Sequence, residues 1–184
     1  MNLDKYTQVP SIYELLRHNK VIFLNGDINE DLATEIIAQL LYYDSIAKAN
    51  EEIKMYINSY GGTITAGLSI IDIMKACQHS IHTICTGICA SMAGIILASG
   101  NERSILPHSF VMVHEASGMS HEKLTDAKVS IKVLTALQKT LVDILRKRTL
   151  LFSSKKGKKI DLSHDMWLTA KQAVELKIVD TIIK

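Results

Sequence analysis

The residues best suited to covalent chemistry lie in Gly87-Ile88-Cys89-Ala90-Ser91-Met92-Ala93-Gly94. An apolar strand pattern ends there, small residues follow, and Ser91 opens an apolar helical stretch. A serine so placed has two advantages as a nucleophile. Its hydroxyl points out of a tight turn, and the first N–H groups of the next helix lack intrahelical partners and can face developing negative charge. The same position also suits a plain helix N-cap. A nucleophilic serine needs a base, and His114 in Met112-Val113-His114-Glu115 closes another apolar run. A histidine at a strand end is also commonly structural. The other six, His18, His79, His82, His108, His121 and His164, sit in less suggestive contexts. Asp165, in Ser163-His164-Asp165-Met166-Trp167-Leu168, could orient such a base or simply cap an apolar turn. Ile57-Asn58-Ser59-Tyr60-Gly61-Gly62 ends a strand pattern on paired glycines, which allow positive φ and close backbone approach. Such a loop can present N–H groups to an oxyanion, or merely turn the chain.

These residues need a scaffold, and the apolar periodicity supplies one. Val21–Leu24, Ile53–Ile57, Ile81–Cys85 and Ser109–Val113 read as buried strands, with Gly87 breaking the third. Leu32 to Tyr43, Ile64 to Met74 and Ser91–Ser99 read as helices. The longest helical pattern runs from about Glu122 to Arg148, with Ile131, Leu134, Leu137, Leu141 and Ile144 on one stripe. Lys155–Lys159 reads as a charged loop, Thr169–Leu176 as a short helix and Ile178–Ile183 as a last strand. Ser11 to Glu14 has the form of a capping box starting a first helix. Strands alternating with helices define an α/β class.

A chain of 184 residues suits one domain with a real core. A net charge of +2 argues against a nucleic-acid partner. No apolar run reaches the roughly 18 residues of a membrane span, and the N-terminus lacks an apolar signal core. Three cysteines, Cys77, Cys85 and Cys89, lack metal spacing. Their odd number fits a reducing compartment, so a cytoplasmic location is expected.

VIFLNG, YINSYGG followed by TAG, TICTG followed by ASM, LPHS followed by VMVH, and DMWLTAKQA followed by VD resemble, in order, successive motifs of the Clp protease proteolytic subunit, ClpP. The resemblance covers about residues 12–184. It implies a ClpP/crotonase-like spiral of ββα units in one domain over 1–184, with a long protruding handle helix at about 120–148. It also implies a serine endopeptidase with Ser91 as nucleophile, His114 as base and Asp165 orienting that base. The oxyanion-hole N–H groups fall on Gly62 and Met92. Hydrolysis of this kind needs no metal or cofactor. The expected partners are polypeptide substrates, further copies in two stacked rings of seven, and an AAA+ unfoldase of the Clp type.

Several residues depart from the family pattern. Lys54 stands where an aromatic is usual in the unfoldase-docking pocket, and Ala76 and Ser104 stand at usually large apolar positions. Tyr56, Ile84, Leu106 and Ile183 keep the pocket's apolar character. Glu115-Ala116-Ser117-Gly118 replaces a Gln-Pro segment and glycine pair, Ser163-His164 replaces an acid–arginine pair, and Tyr60 replaces a proline. These changes suit a divergent paralogue with weakened unfoldase coupling, one that shares its ring with a second ClpP subunit. Two other readings compete, and the intact triad argues against both: a ring subunit with little activity of its own, and a crotonase-type acyl-CoA enzyme, which shares the fold and two oxyanion N–H groups but does not need Ser91, His114 and Asp165 together.

Overall fold

A computed structural model describes residues 12–117, 123–153 and 162–183. The elements are α1 (Ile12–His18), β1 (Val21–Asn25), α2 (Glu30–Ile46), β2 (Ile53–Ser59), α3 (Ile64–Ala76), β3 (Ile81–Ala90), α4 (Met92–Ser99), β4 (Glu102–Ile105), β5 (Phe110–Val113), α5 (Leu124–Arg148), β6 (Met166–Thr169), α6 (Ala170–Glu175) and β7 (Thr181–Ile182). The α/β class is the one the alternating periods imply. Ser11 and Lys155–Lys159 lie outside the described residues, as do Gly118 and the start of the long helix at Glu122.

Strands β1, β2, β3, β4 and β7 lie side by side in that order, all parallel. Parallel strands need crossovers, and α2 and α3 provide them between β1, β2 and β3. Their apolar faces, Ala33, Ile36, Leu40 and Tyr43 on α2 and Ala66, Ile70, Ile71 and Met74 on α3, are buried against the sheet. The strands contribute Ile22, Leu24, Ile53, Met55, Ile57 and Ile81 to the same core, each fully buried. Each such side chain stabilises the fold by roughly 2–3 kcal/mol.

Gly87 does not end β3, contrary to the sequence expectation. The strand runs on to Ala90 and changes neighbour. Its first half pairs with β4 (His82↔Glu102 to Cys85↔Ile105), and its second half pairs with β5 (Ile88↔Phe110 to Ala90↔Met112). The sheet therefore forks at Gly87. On the β2 side the register shifts between Ile57 and Ser59, leaving extra residues on β3. The side chain of Asn58 fills the bulge and accepts the Ile88 N–H at 3.1 Å. A Cβ on Gly87, at φ 152°, would stand 2.6 Å from that amide oxygen. Only glycine fits there.

The apolar periodicity does not mark two further strands. β4 is polar because of Glu102, Arg103 and Ser104. Arg103 is nevertheless buried, because Asp180 pairs with it at 2.6 Å and its Nη1 donates to the carbonyls of Arg148 and Lys177. β6 occupies the segment between Asp165 and the last helix and pairs antiparallel with β5. That helix is α6, capped by a reciprocal Thr169–Gln172 box, and the last strand is only Thr181–Ile182. The apolar stripe of α5 is covered over its C-terminal half, where Leu141 and Leu145 are buried, while Ile131 is 63% exposed. No helix among the described residues is long and apolar enough to cross a membrane.

Candidate active site

Three strand ends meet beside α4. The register β3↔β5 pairs Ala90 with Met112, so Ser91 and His114 follow the last rungs of neighbouring parallel strands. The register β5↔β6 pairs Val113 with Met166, so Asp165 stands opposite His114 one rung further on. Ser91 Oγ lies 2.8 Å from His114 Nε2. His114 Nδ1 lies 3.3 Å from Asp165 Oδ1. The imidazole is thus held between a hydroxyl and a carboxylate, one on each ring nitrogen. The aspartate contact is the looser of the two, and the Asp165 side chain is 56% exposed. Contacts of this kind are commonly long before a substrate is bound.

Ser91 itself is strained. Its φ is 53° and ψ is −122°, a conformation that non-glycine residues adopt at a cost of about 1–3 kcal/mol. Neighbouring main chain holds it there. The Ser91 N–H donates to the Met112 carbonyl at 2.9 Å, and its own carbonyl accepts the Gly94 N–H at 3.0 Å. The strain lifts the hydroxyl out of the strand and starts α4 at Met92. The Met92 N–H, in the first turn of the helix, has no intrahelical acceptor.

The Gly61-Gly62 turn closes the other side. A Cβ on Gly61 would stand 2.8 Å from both the Ala90 carbonyl and Ser91 Cβ, and one on Gly62 would overlap the Ile28 carbonyl. Both glycines have positive φ, 101° and 148°. The turn is pinned by bonds from Ile28 N–H to Gly61 O and from Thr63 N–H to Ile28 O, and by Ser59 Oγ accepting the Gly61 N–H. Gly62, Ser91, Met92 and His114 line one open cavity of about 60 Å³, with Ile64, Ile95, Leu141 and Leu145 as its apolar wall. Glu115, Ala116 and Ser117 form the remaining edge. That edge is held by the Leu162 carbonyl, which accepts the Glu115 N–H, and by Gln138 of α5, which accepts the Ala116 N–H at 2.7 Å. No sequence signal marks Gln138, a glutamine inside a long helix.

A hydroxyl against an imidazole, a carboxylate behind it, and two helix- or turn-derived N–H groups in the same cavity can carry out acyl transfer. Two of the three thiols, Cys77 and Cys89, are poorly suited to it. Burial, with Asp44 nearby, pushes the Cys77 thiol up to about 11, and burial raises Cys89 well above its ordinary range.

The chain matches the family model described as Clp protease over residues 4–184. It belongs to the Clp protease family. That makes it a peptidase by descent, on a fold consistent with the family's. Among curated relatives, the ATP-dependent Clp protease proteolytic subunit 1 of Borreliella burgdorferi is 33% identical, over 99% of this chain and 93% of its own. The ATP-dependent Clp protease proteolytic subunits of Borreliella afzelii and Borrelia garinii subsp. bavariensis are each 34% identical over 97% of this chain, covering 90% and 91% of their own.

The residues picked out for unfoldase docking fall elsewhere. Lys54, Tyr56 and Ile84 share the strand parity opposite to Ile53, Met55 and Ile81, while Leu106 and Ile183 directly follow β4 and β7, their N–H groups donating to the Cys85 and Ile105 carbonyls. Tyr56 stacks on Phe23 at 5.6 Å, and Ile84 is buried. Lys54 is not a buried ammonium: its side chain is 42% exposed and its Nζ lies 3.3 Å from Glu52. His164 is exposed, with Nδ1 3.0 Å from Ser163 Oγ.

Proposed function

We propose that this chain is a serine endopeptidase, the proteolytic subunit of an ATP-dependent Clp protease, cleaving peptides and unfolded proteins by a Ser-His-Asp acyl-enzyme mechanism. The observation that carries the proposal is the 2.8 Å contact between Ser91 Oγ and His114 Nε2 with Asp165 on the other ring nitrogen. His114 takes the Ser91 proton as Oγ attacks a peptide carbonyl. Asp165 keeps the imidazole in the tautomer that leaves Nε2 able to accept, and stabilises the imidazolium. The N–H groups of Gly62 and Met92 stabilise the tetrahedral oxyanion, and one such donor supplies about 3 kcal/mol in other serine peptidases. His114 then passes the proton to the leaving amine, and water releases the acyl group from Ser91.

The motif resemblance supports the further reading that the chain works within two stacked heptameric rings in the cytoplasm, with α5 as the handle between them and a Clp-type AAA+ unfoldase feeding the chamber. The charged Lys54 and Glu52 and the small Ser104 on the docking face favour weakened coupling in a ring of this chain alone, and a mixed ring with a second ClpP subunit.

Ser91→Ala tests the core of this reading. Peptide hydrolysis and fluorophosphonate labelling should both disappear, with kcat falling by about 10⁵-fold or more, while folding and assembly persist. Turnover near wild type in Ser91→Ala would show that another group is the nucleophile. A wild type that neither hydrolyses peptides nor takes the fluorophosphonate label would favour the crotonase-type or non-catalytic reading.

A further inference from the structure

At the end of β3 remote from Ser91, the sheet face opposite to Ile53 and Ile81 carries Glu52, His82 and Glu102. They are far apart in sequence, and no motif links them. The strand register makes them neighbours: Lys54 pairs with His82, and His82 with Glu102. Glu52 shares the parity of Lys54, two residues before it. One ligand atom from each of the three lies within 4.8 Å of the other two.

The histidine is oriented as metal-binding histidines are. Its Nε2 lies 2.8 Å from Ser104 Oγ, and Ser104 is buried and lies 3.1 Å from Thr181 Oγ1. A ring nitrogen held by a hydrogen-bonding group behind it fixes the ring and frees the other nitrogen for a ligand role. That other nitrogen, Nδ1, faces Glu52 Oε2 at 3.7 Å. The gap is too wide for a hydrogen bond. It is close to the separation of about 3.4 Å between two ligands on one tetrahedral ion with bonds of 2.0–2.1 Å. Lys54 Nζ approaches the opposite oxygen, Glu52 Oε1, at 3.3 Å, which leaves Oε2 directed at the histidine.

We propose that Glu52, His82 and Glu102 form a binding site for a divalent transition-metal ion of the zinc class, with His82 Nδ1 and one oxygen of each carboxylate as ligands and water completing the tetrahedron. A nitrogen among the ligands favours such an ion over Mg²⁺ or Ca²⁺, which prefer all-oxygen shells. The ion ties the start of β2 to β3 and β4, and it reverses the charge of a patch beside the Phe23–Tyr56 stack. It takes no part in chemistry at Ser91.

The test is a Zn²⁺ titration of the purified full chain in its native assembly, by calorimetry and thermal melting, with Mg²⁺ as the comparison. Wild type should bind one Zn²⁺ per chain at a site that the variants weaken, and should melt at a higher temperature with Zn²⁺ but not with Mg²⁺. Glu102→Gln and His82→Asn should each weaken that binding more than tenfold. Ser104→Ala, which removes only the group behind the ring, should weaken it about tenfold. Glu102 is exposed at the start of β4, so its amide variant keeps the fold even if His82→Asn does not. Failure of wild type to bind zinc, or equal affinity in wild type and Glu102→Gln, overturns the site.

Discussion

The two ends of β3 are built by different means. At the Ala90 end, position is dictated by main chain: the Gly61-Gly62 turn against Ser91 Cβ, the Ser91 N–H on Met112, and the pinned carbonyl of Ile28. At the Ile81 end, the outer face is defined by side chains alone, Lys54, His82, Glu102 and Ser104 among them. Replacing a solvent-exposed side chain on a sheet face, as Lys54 and Glu102 are, usually changes stability by less than about 0.5 kcal/mol. Disturbing a strained turn packed backbone to backbone costs several times more. The first end is therefore costly to alter, and the second can exchange an apolar surface for a charged one with little effect on the fold.

Substitutions at either end perturb one without the other. Asp165→Asn should lower kcat by about 10³- to 10⁴-fold with KM little changed, because the amide favours the wrong imidazole tautomer. Steady-state peptide hydrolysis measures this, and a loss under tenfold would mean that the exposed carboxylate does not orient His114. Gly62→Ala should cost about 3 kcal/mol or more of stability, read as a lower urea midpoint at unchanged slope, since the new methyl meets the Ile28 carbonyl at a φ of 148°. A midpoint equal to wild type would show that the turn shifts easily and that main chain does not dictate this end.

At the other end, Lys54→Tyr should leave hydrolysis of short peptides unchanged. It should raise unfoldase-dependent degradation of a folded substrate about fivefold, the equivalent of roughly 1 kcal/mol at an interface anchor. No gain in coupling would count against a docking role for position 54.

The smallest effect concerns the Arg103–Asp180 pair that anchors β4. The Arg103 guanidinium, bonded to Asp180, holds that carboxyl below its ordinary range. A depressed native value stabilises the fold above the unfolded pKa of about 3.9, and this contribution is lost as pH falls through the native value. Asp180 is 42% exposed, so screening keeps the pH-dependent share below about 1 kcal/mol. Asp180→Asn should therefore flatten the acid limb of stability below about pH 4, measured by urea unfolding at several pH values. An unchanged limb would assign acid sensitivity to other carboxylates.

Local pattern in the sequence determined the α/β class, the first three strands and the helices around them, because apolar period and turn residues act within a few positions of one another. It also made Ser91, His114 and Asp165 legible as candidates, though only through the ordered motifs that surround them; each taken singly suits a structural role equally well. The tertiary structure decided what depends on distant partners. β4 looked too polar to be a strand because the charge of Arg103 is answered by Asp180, 77 residues later. β6 was hidden because its pairing with β5 crosses the whole of α5, yet that register sets Asp165 opposite His114. Gly87 reads as a stop signal, but the chain continues because Asn58 fills the bulge it opens. Glu52, His82 and Glu102 have no sequence signature at all. Parallel pairing brings them to one face, and which residues end up side by side across strands is set by register, a property that no local stretch of sequence contains.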